Sequence, residues 1–289
     1  MKKCFFQGAC TALVTPFLGD KVNFPMLEQL LKRQMEAGIR AVVLCGTTGE
    51  SPTLSDSEKL EIFRRAKDFV GDGCQIIAGT GCNCTEHAIA LSMAAEKFGA
   101  DGLLVVSPYY NKATSEGLYA HYEAISRAVH IPIIVYNVPS RTGVDIPVGV
   151  YKRLSRIPNI AGVKEASSDI TKISRIIAAC GPDLPVWSGN DDQAVPAISV
   201  GAQGVISVLS NVMPMETQAM AMAALDGDFD TAMALHLRML PLMELLFCEV
   251  NPIPVKAAMK CVGYDCGGCR LPLTGLTREN QERMEAYFS

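Results

Sequence analysis

A (β/α)8 barrel with a helical extension at its carboxyl end is the fold this sequence predicts, and three observations predict it. Short apolar segments recur at roughly thirty-residue intervals. An amphipathic stretch follows each of them, and eight such units pass before the pattern stops near residue 226. Apolar segments without alternation are strands buried on both faces, as in a parallel sheet covered by helices. Eight units point to a closed barrel rather than a doubly wound sheet.

In chain order, the strands are expected at residues 9–15, 41–45, 75–78, 102–106, 131–136, 160–164, 185–188 and 204–208. The helices between them are expected at 24–37, 55–70, 85–98, 115–129, 148–155, 170–179, 191–200 and 215–225. Ser55-Asp56-Ser57-Glu58 has the form of a capping box, and Ser115 ahead of Glu116 marks a second helix start. Gly38, Gly71, Gly99 and Gly181 stand where helices should stop. Beyond residue 226 the strands cease. One long helix is expected over 228–247, Asn251-Pro252-Ile253-Pro254 breaks it, and further helices follow at 255–262 and 277–288. This implies a catalytic barrel over residues 1–226 and a helical domain over 227–289. The second should pack on the first, because no low-complexity linker separates them.

A chain of 289 residues, 49% of them hydrophobic, can bury a full core without disulfides or a metal. A net charge of −4 offers no attraction to nucleic acid or to an anionic membrane surface, and no apolar run is long enough to span a bilayer. Polar residues interrupt the N-terminal apolar stretch, which reads as the lead-in to a first strand in a cytoplasmic protein. The 11 cysteines are scattered, and Cys10, Cys45 and Cys180 sit inside apolar runs as small hydrophobes. Cys261, Cys266 and Cys269, with Cys248 as a fourth, resemble part of an iron–sulfur ligand set. Their glycine-rich setting reads instead as a loop with reduced thiols, so no metal site is expected. The histidines show no metal-ligand spacing.

Chemistry in such barrels lies at the carboxyl ends of the strands. Lys164 ends the run Ile160-Ala161-Gly162-Val163. A lysine at the mouth of an apolar strand is poorly solvated, which favours its neutral amine and makes it a nucleophile toward carbonyls. A lysine that merely snorkels to water is the ordinary alternative. The second strand ends in Gly46-Thr47-Thr48-Gly49-Glu50-Ser51, a tight turn whose N–H groups and hydroxyls can hold a carboxylate or phosphate. Tyr109 and Tyr110 follow the fourth strand, Tyr136 ends the fifth and Arg141 follows it. A lysine to form an imine, hydroxyls to move protons, and a threonine turn with an arginine to hold carboxylates make up an aldolase-type site.

These segments, with Tyr136-Asn137-Val138-Pro139-Ser140-Arg141-Thr142-Gly143, Gly162-Val163-Lys164-Glu165-Ala166 and Asn251-Pro252-Ile253-Pro254-Val255-Lys256, resemble the dihydrodipicolinate synthases of the pyruvate-dependent class I aldolase superfamily. The similarity runs from about Gly8 to the C-terminus. The resemblance implies condensation of pyruvate with L-aspartate 4-semialdehyde through a covalent pyruvate imine on Lys164, with no metal or organic cofactor. It implies that Tyr136 relays protons and that Thr47 links it to Tyr110 from a neighbouring subunit. Thr48 would hold the pyruvate carboxylate and Arg141 that of the aldehyde, while Gly189 and Ile206 would shape the pocket. A homo-oligomer is implied, a tetramer built from two dimers.

An N-acetylneuraminate lyase or another sugar-acid aldolase would share the lysine, the tyrosine and the threonine turn. Arg141 favours the synthase, since a guanidinium fork suits a small substrate with its own carboxylate. A non-catalytic binding protein on the same barrel would have lost one of Lys164, Tyr136 and Arg141, and all three are present. The resemblance also implies an effector cleft for lysine, at Ser51, Pro52, Asp56, Lys59, Asn83, His87 and Tyr109. Here the chain departs from the family, having Lys59 in place of a histidine and His87 in place of a glutamate. Both changes oppose a cationic ligand, so weak or absent inhibition by lysine is expected.

Overall fold

The computed structural model describes residues 4–289. Eight parallel strands close a barrel: β1 (Gly8–Ala12), β4 (Ala41–Leu44), β5 (Gln75–Gly79), β6 (Gly102–Val106), β7 (Ile133–Asn137), β8 (Ile160–Glu165), β9 (Val186–Ser188) and β10 (Gly204–Ser207). Between β1 and β4 a hairpin of β2 (Phe17–Leu18) and β3 (Lys21–Val22) forms a separate small sheet. Each barrel strand pairs with the next in sequence, and β10 closes on β1 with Cys10 opposite Ile206.

Side-chain alternation along the strands divides the core into two layers. Val42, Ile76, Leu103, Val135, Val163 and Val205 pack outward against the helices. Cys10, Ala41, Val43, Ile77, Leu104, Ile134, Tyr136, Trp187 and Ile206 fill the interior. The indole of Trp187 stacks on Phe6 with centroids 4.6 Å apart, and its Nε1 donates to the Phe6 carbonyl at 3.2 Å. That ring leaves no room for a side chain at Gly162, where a Cβ would stand 2.4 Å from Cζ3 of the indole. The amino end of the barrel is therefore plugged, and the open mouth lies at the carboxyl end.

The connecting helices are α1 (Phe24–Glu36), α2 (Asp56–Val70), α3 (Thr85–Lys97), α4 (Ser115–Ala128), α5 (Pro139–Thr142), α6 (Val148–Leu154), α7 (Ile170–Cys180), α8 (Ala194–Ser199) and α9 (Pro214–Leu225). The capping box is present at α2, with Ser55 and Glu58 satisfying each other's backbone N–H groups. Gly71 and Gly181 end α2 and α7 in left-handed backbone, at φ of 54° and 57°. At α4 the cap is Thr114, one residue ahead of the expected start, and its hydroxyl accepts from Gly117 N. The stretch expected as one helix over 191–200 begins as a 3-10 turn, Asp191–Gln193, and only then becomes α8.

Three helices follow: α10 (Phe229–Leu245), α11 (Ile253–Cys261) and α12 (Arg278–Tyr287). α10 lies along α9, and its far end delivers residues 247–251 to the barrel mouth. The irregular segment after α11 crosses the β2–β3 hairpin, where Phe17 N donates to Cys266 O at 2.9 Å. Cys261 is exposed, Cys266 buried and Cys269 half-buried along this segment, all with free thiols. No helix among the described residues is long and apolar enough to cross a membrane.

Candidate active site

Lys164 stands at the carboxyl end of β8, in register with Tyr136 on β7. Inward alternation on β8 passes from Gly162 to Lys164, so the lysine rises from the interior of the barrel and is only 5% exposed. Its Nζ lies 4.4 Å from the centroid of the Tyr136 ring. Both line a cavity of about 240 Å3 at the barrel mouth, together with Thr47, Thr48, Arg141 and Gly189. Gly189 follows β9, and a Cβ there would come within 3.1 Å of Lys164 Cε and 2.5 Å of Ala166 Cβ. The absence of a side chain at this position is what leaves the lysine its space.

The strand end that carries Lys164 is fixed from behind by a buried polar network. Glu165 points away from the barrel interior, where its Oε1 accepts from Asn137 Nδ2 at 2.8 Å and from Ser167 N at 2.9 Å. Its Oε2 accepts from the Tyr151 hydroxyl at 3.1 Å and lies 3.6 Å from Lys172 Nζ. Asn137 also donates to Asp145, which pairs with Lys172. Burial and the Glu165 charge both push the Tyr151 phenol well above its ordinary range, which keeps it a donor. Because Asn137 belongs to β7 and Glu165 to β8, the network locks the two strands whose inward neighbours are Tyr136 and Lys164.

The threonine turn after β4 is bracketed by two non-glycine residues in left-handed backbone, Cys45 at φ 53° and Glu50 at φ 56°. Such residues persist only where surroundings hold them. Here Thr15 donates its hydroxyl to Gly49 O at 2.7 Å, and Glu50 is buried against Lys256 Nζ at 2.5 Å. Arg141 is carried on α5, a single turn after β7 that sequence periodicity did not reveal. Its guanidinium is exposed at the cavity mouth and has no ion-pair partner among the described residues, which leaves its fork free for an anion.

Two expected site residues stand elsewhere. Tyr110, at φ 73°, is 89% exposed and does not line this cavity. Ile206 is fully buried in the interior layer below the cavity, and Val208, two residues on, lines the cavity instead. Val208 is held by Asp191, whose Oδ2 accepts from Val208 N and Leu209 N, both at 2.9 Å. Burial raises the Asp191 carboxyl, and these hydrogen bonds oppose the rise. Among the lining residues that sequence reasoning missed, Asn251 and Phe247 reach the cavity from beyond α10. The Asn251-Pro252-Ile253-Pro254 motif was the available signal for the first.

A larger cavity of about 770 Å3 adjoins the first and shares Thr47, Tyr136, Arg141 and Asn251 with it. All seven residues of the expected effector cleft line it: Ser51, Pro52, Asp56, Lys59, Asn83, His87 and Tyr109. His87 Nε2 lies 2.8 Å from Asp56 Oδ2, and the buried Lys59 has its Nζ 3.8 Å from Asp56 Oδ1.

A lysine presented inside a (β/α)8 barrel, beside a tyrosine and beneath an unpaired arginine, defines the class as a lyase of the class I aldolase type. The chain belongs to the dihydrodipicolinate synthetase family, whose model matches residues 5–289. It is 49% identical over 278 residues to the 4-hydroxy-tetrahydrodipicolinate synthase of Caldicellulosiruptor saccharolyticus, covering 96% of this chain and 94% of the relative. Among solved structures, a dihydrodipicolinate synthase from Acinetobacter baumannii complexed with pyruvate superposes with a TM-score of 0.95 at 42% identity, covering 97% of each chain. One from Cyanidioschyzon merolae with lysine bound gives 0.95 at 40% identity, covering 99% of this chain and 98% of that one.

Proposed function

We propose that this chain condenses pyruvate with L-aspartate 4-semialdehyde to give 4-hydroxy-tetrahydrodipicolinate, the committed step of diaminopimelate and lysine biosynthesis. The observation that carries the reading is the convergence of Lys164, Tyr136, Thr47, Thr48 and Arg141 on one cavity, within a chain whose relatives bear that activity.

The Lys164 amine adds to the ketone carbon of pyruvate, and loss of water from the carbinolamine leaves an imine. The imine nitrogen draws electrons from the adjacent methyl group, which gives up a proton to form an enamine. That carbon attacks the aldehyde, whose oxygen takes a proton and becomes the ring hydroxyl. The amine of the aldehyde substrate then attacks the imine carbon and expels Lys164, closing the ring. The imine is itself the electron sink, so this sequence draws on no metal or organic cofactor. Tyr136, beside the lysine, is the proton relay, with Thr47 as its hydrogen-bonding neighbour. Thr48 and its loop hold the pyruvate carboxylate, Arg141 holds that of the aldehyde, and Gly189 sets the pocket's shape, with Ile206 packed in the layer beneath it.

Tyr110 completes the relay in a second copy of the chain, a role supported by its exposure and by its absence from the lining of its own chain's cavity. Such an exchange requires at least a dimer, and a tetramer of two dimers follows the family pattern. The larger cavity is the effector cleft, with lysine a poor ligand for it. A cytoplasmic setting matches the free thiols.

Purified protein treated with pyruvate and borohydride should gain one reduced pyruvyl group on Lys164, and Lys164→Ala should gain none. Pyruvate should disappear with aspartate semialdehyde and not with N-acetylmannosamine. Consumption with the sugar alone would replace the synthase by a lyase.

A further inference from the structure

The turn that would hold the ketoacid carboxylate is gripped from the far end of the chain. Asn251, between α10 and α11, is 5% exposed and donates from Nδ2 to Thr48 Oγ1 at 3.0 Å. Both residues line the smaller cavity. The same turn is held at Glu50 by Lys256 Nζ at 2.5 Å and by Arg270 N, which donates to Oε2 at 2.9 Å. Three successive points of the C-terminal segment therefore converge on a turn of six residues, 46–51.

We propose that Asn251 is a positioning residue for the ketoacid, acting through the Thr48 hydroxyl; the proposal rests on the functional reading above. A threonine hydroxyl has one hydrogen to donate and two lone pairs with which to accept. When the Asn251 amide takes one lone pair, the oxygen is committed as an acceptor on that side and its hydrogen turns elsewhere. Thr48 Oγ1 has no other hydrogen-bond partner among the described residues, and the cavity is what remains for its proton to face. A hydroxyl already accepting from an amide is also a better donor, because successive hydrogen bonds polarise one another. The carboxamide orientation follows the same logic. It leaves only Asn251 Oδ1 unpartnered, and an unpaired buried acceptor is tolerated better than an unpaired buried donor. With the amide turned round, Thr48 would spend its proton on Asn251, and the carboxylate would meet a lone pair.

Borohydride trapping on Lys164 at graded pyruvate concentrations tests this. Asn251→Ala releases the Thr48 hydroxyl. Asn251→Asp keeps the side-chain volume and presents only acceptors, so it captures the Thr48 proton and carries the test if the alanine variant does not fold. In either variant, half-saturating pyruvate should rise about tenfold. The KM for the aldehyde should stay within about twofold, and in a Thr48→Val background the Asn251 change should add less than about twofold. Unchanged half-saturation by pyruvate, effects that multiply with Thr48→Val, or an equal rise in the aldehyde KM would each overturn the proposal. Absence of any adduct on the wild-type protein would overturn the functional reading itself, and the proposal with it.

Discussion

Replacing Gly189 by alanine tests whether the space around Lys164 is what the site depends on. The added Cβ would stand 2.5 Å from Ala166 Cβ, about 0.9 Å inside ordinary van der Waals contact, and 3.1 Å from Lys164 Cε. The second contact can be relieved by a few tenths of an ångström of side-chain movement. The first cannot, because Ala166 Cβ is fixed to the backbone that follows β8, so β8 and the loop after β9 must part. Overpacking of this kind costs about 1–3 kcal/mol of stability. A displacement approaching 1 Å at a reacting group costs on the order of a hundredfold in rate. The assay is the single-turnover rate of pyruvate trapping on Lys164, read beside a thermal melt. Gly189→Ala should trap about a hundredfold more slowly while still unfolding cooperatively. Removing the obstructing methyl with Ala166→Gly should recover about tenfold of that loss. A Gly189→Ala enzyme that traps pyruvate at the wild-type rate would refute the argument that this glycine makes room for the lysine.

The larger cavity predicts weak inhibition by L-lysine, with an inhibition constant above ~1 mM. The double change Lys59→His with His87→Glu removes a buried cation and supplies an anion for an ammonium group, so it should tighten inhibition by about tenfold or more. Titration of stability with acid should show two declines. Burial pushes His121 down to about 4 from an ordinary value near 6.5. Its contribution is therefore complete above about pH 6.5 and lost as pH falls through 4, and His121→Phe should abolish this upper decline. The hydrogen bond from Arg270 holds Glu58 at about 2 against an ordinary 4.5. The stability gap between wild type and Glu58→Gln should be full above pH 4.5 and close by about pH 2.

The eight strand positions were legible because a buried parallel strand leaves a compact apolar signal, and Lys164 was legible because it breaks one. Segments too short for a period were not. α5 is a single turn and each strand of the β2–β3 hairpin is two residues long, so neither can display a repeat. The placement of Lys164, Tyr136, Thr47, Thr48 and Arg141 at one level was foreseeable from their strand ends. The pairing of Thr48 with Asn251 was not, since the two are 203 residues apart and share no element. Outward residues were also opaque. Glu165 stands next to the lysine in sequence, yet its network forms on the opposite face and depends on Asn137 at the end of β7 and on where Tyr151 and Lys172 fall in the helical layer.

The attachment of turn 46–51 to the carboxyl end of the chain has a consequence for biosynthesis. Thr48 leaves the ribosome 203 residues before Asn251. At the usual ~5–20 residues per second that interval is about 10–40 s. Lys256 and Arg270 arrive later still. All eight barrel strands are translated by Ser207, so the nascent chain carries the reactive lysine well before the residues that finish its surroundings. Until then the turn keeps its tie to Thr15 but lacks the two residues that hold the strained Glu50, so the nascent barrel is a poor host for a ketoacid until Lys256 and Arg270 have followed.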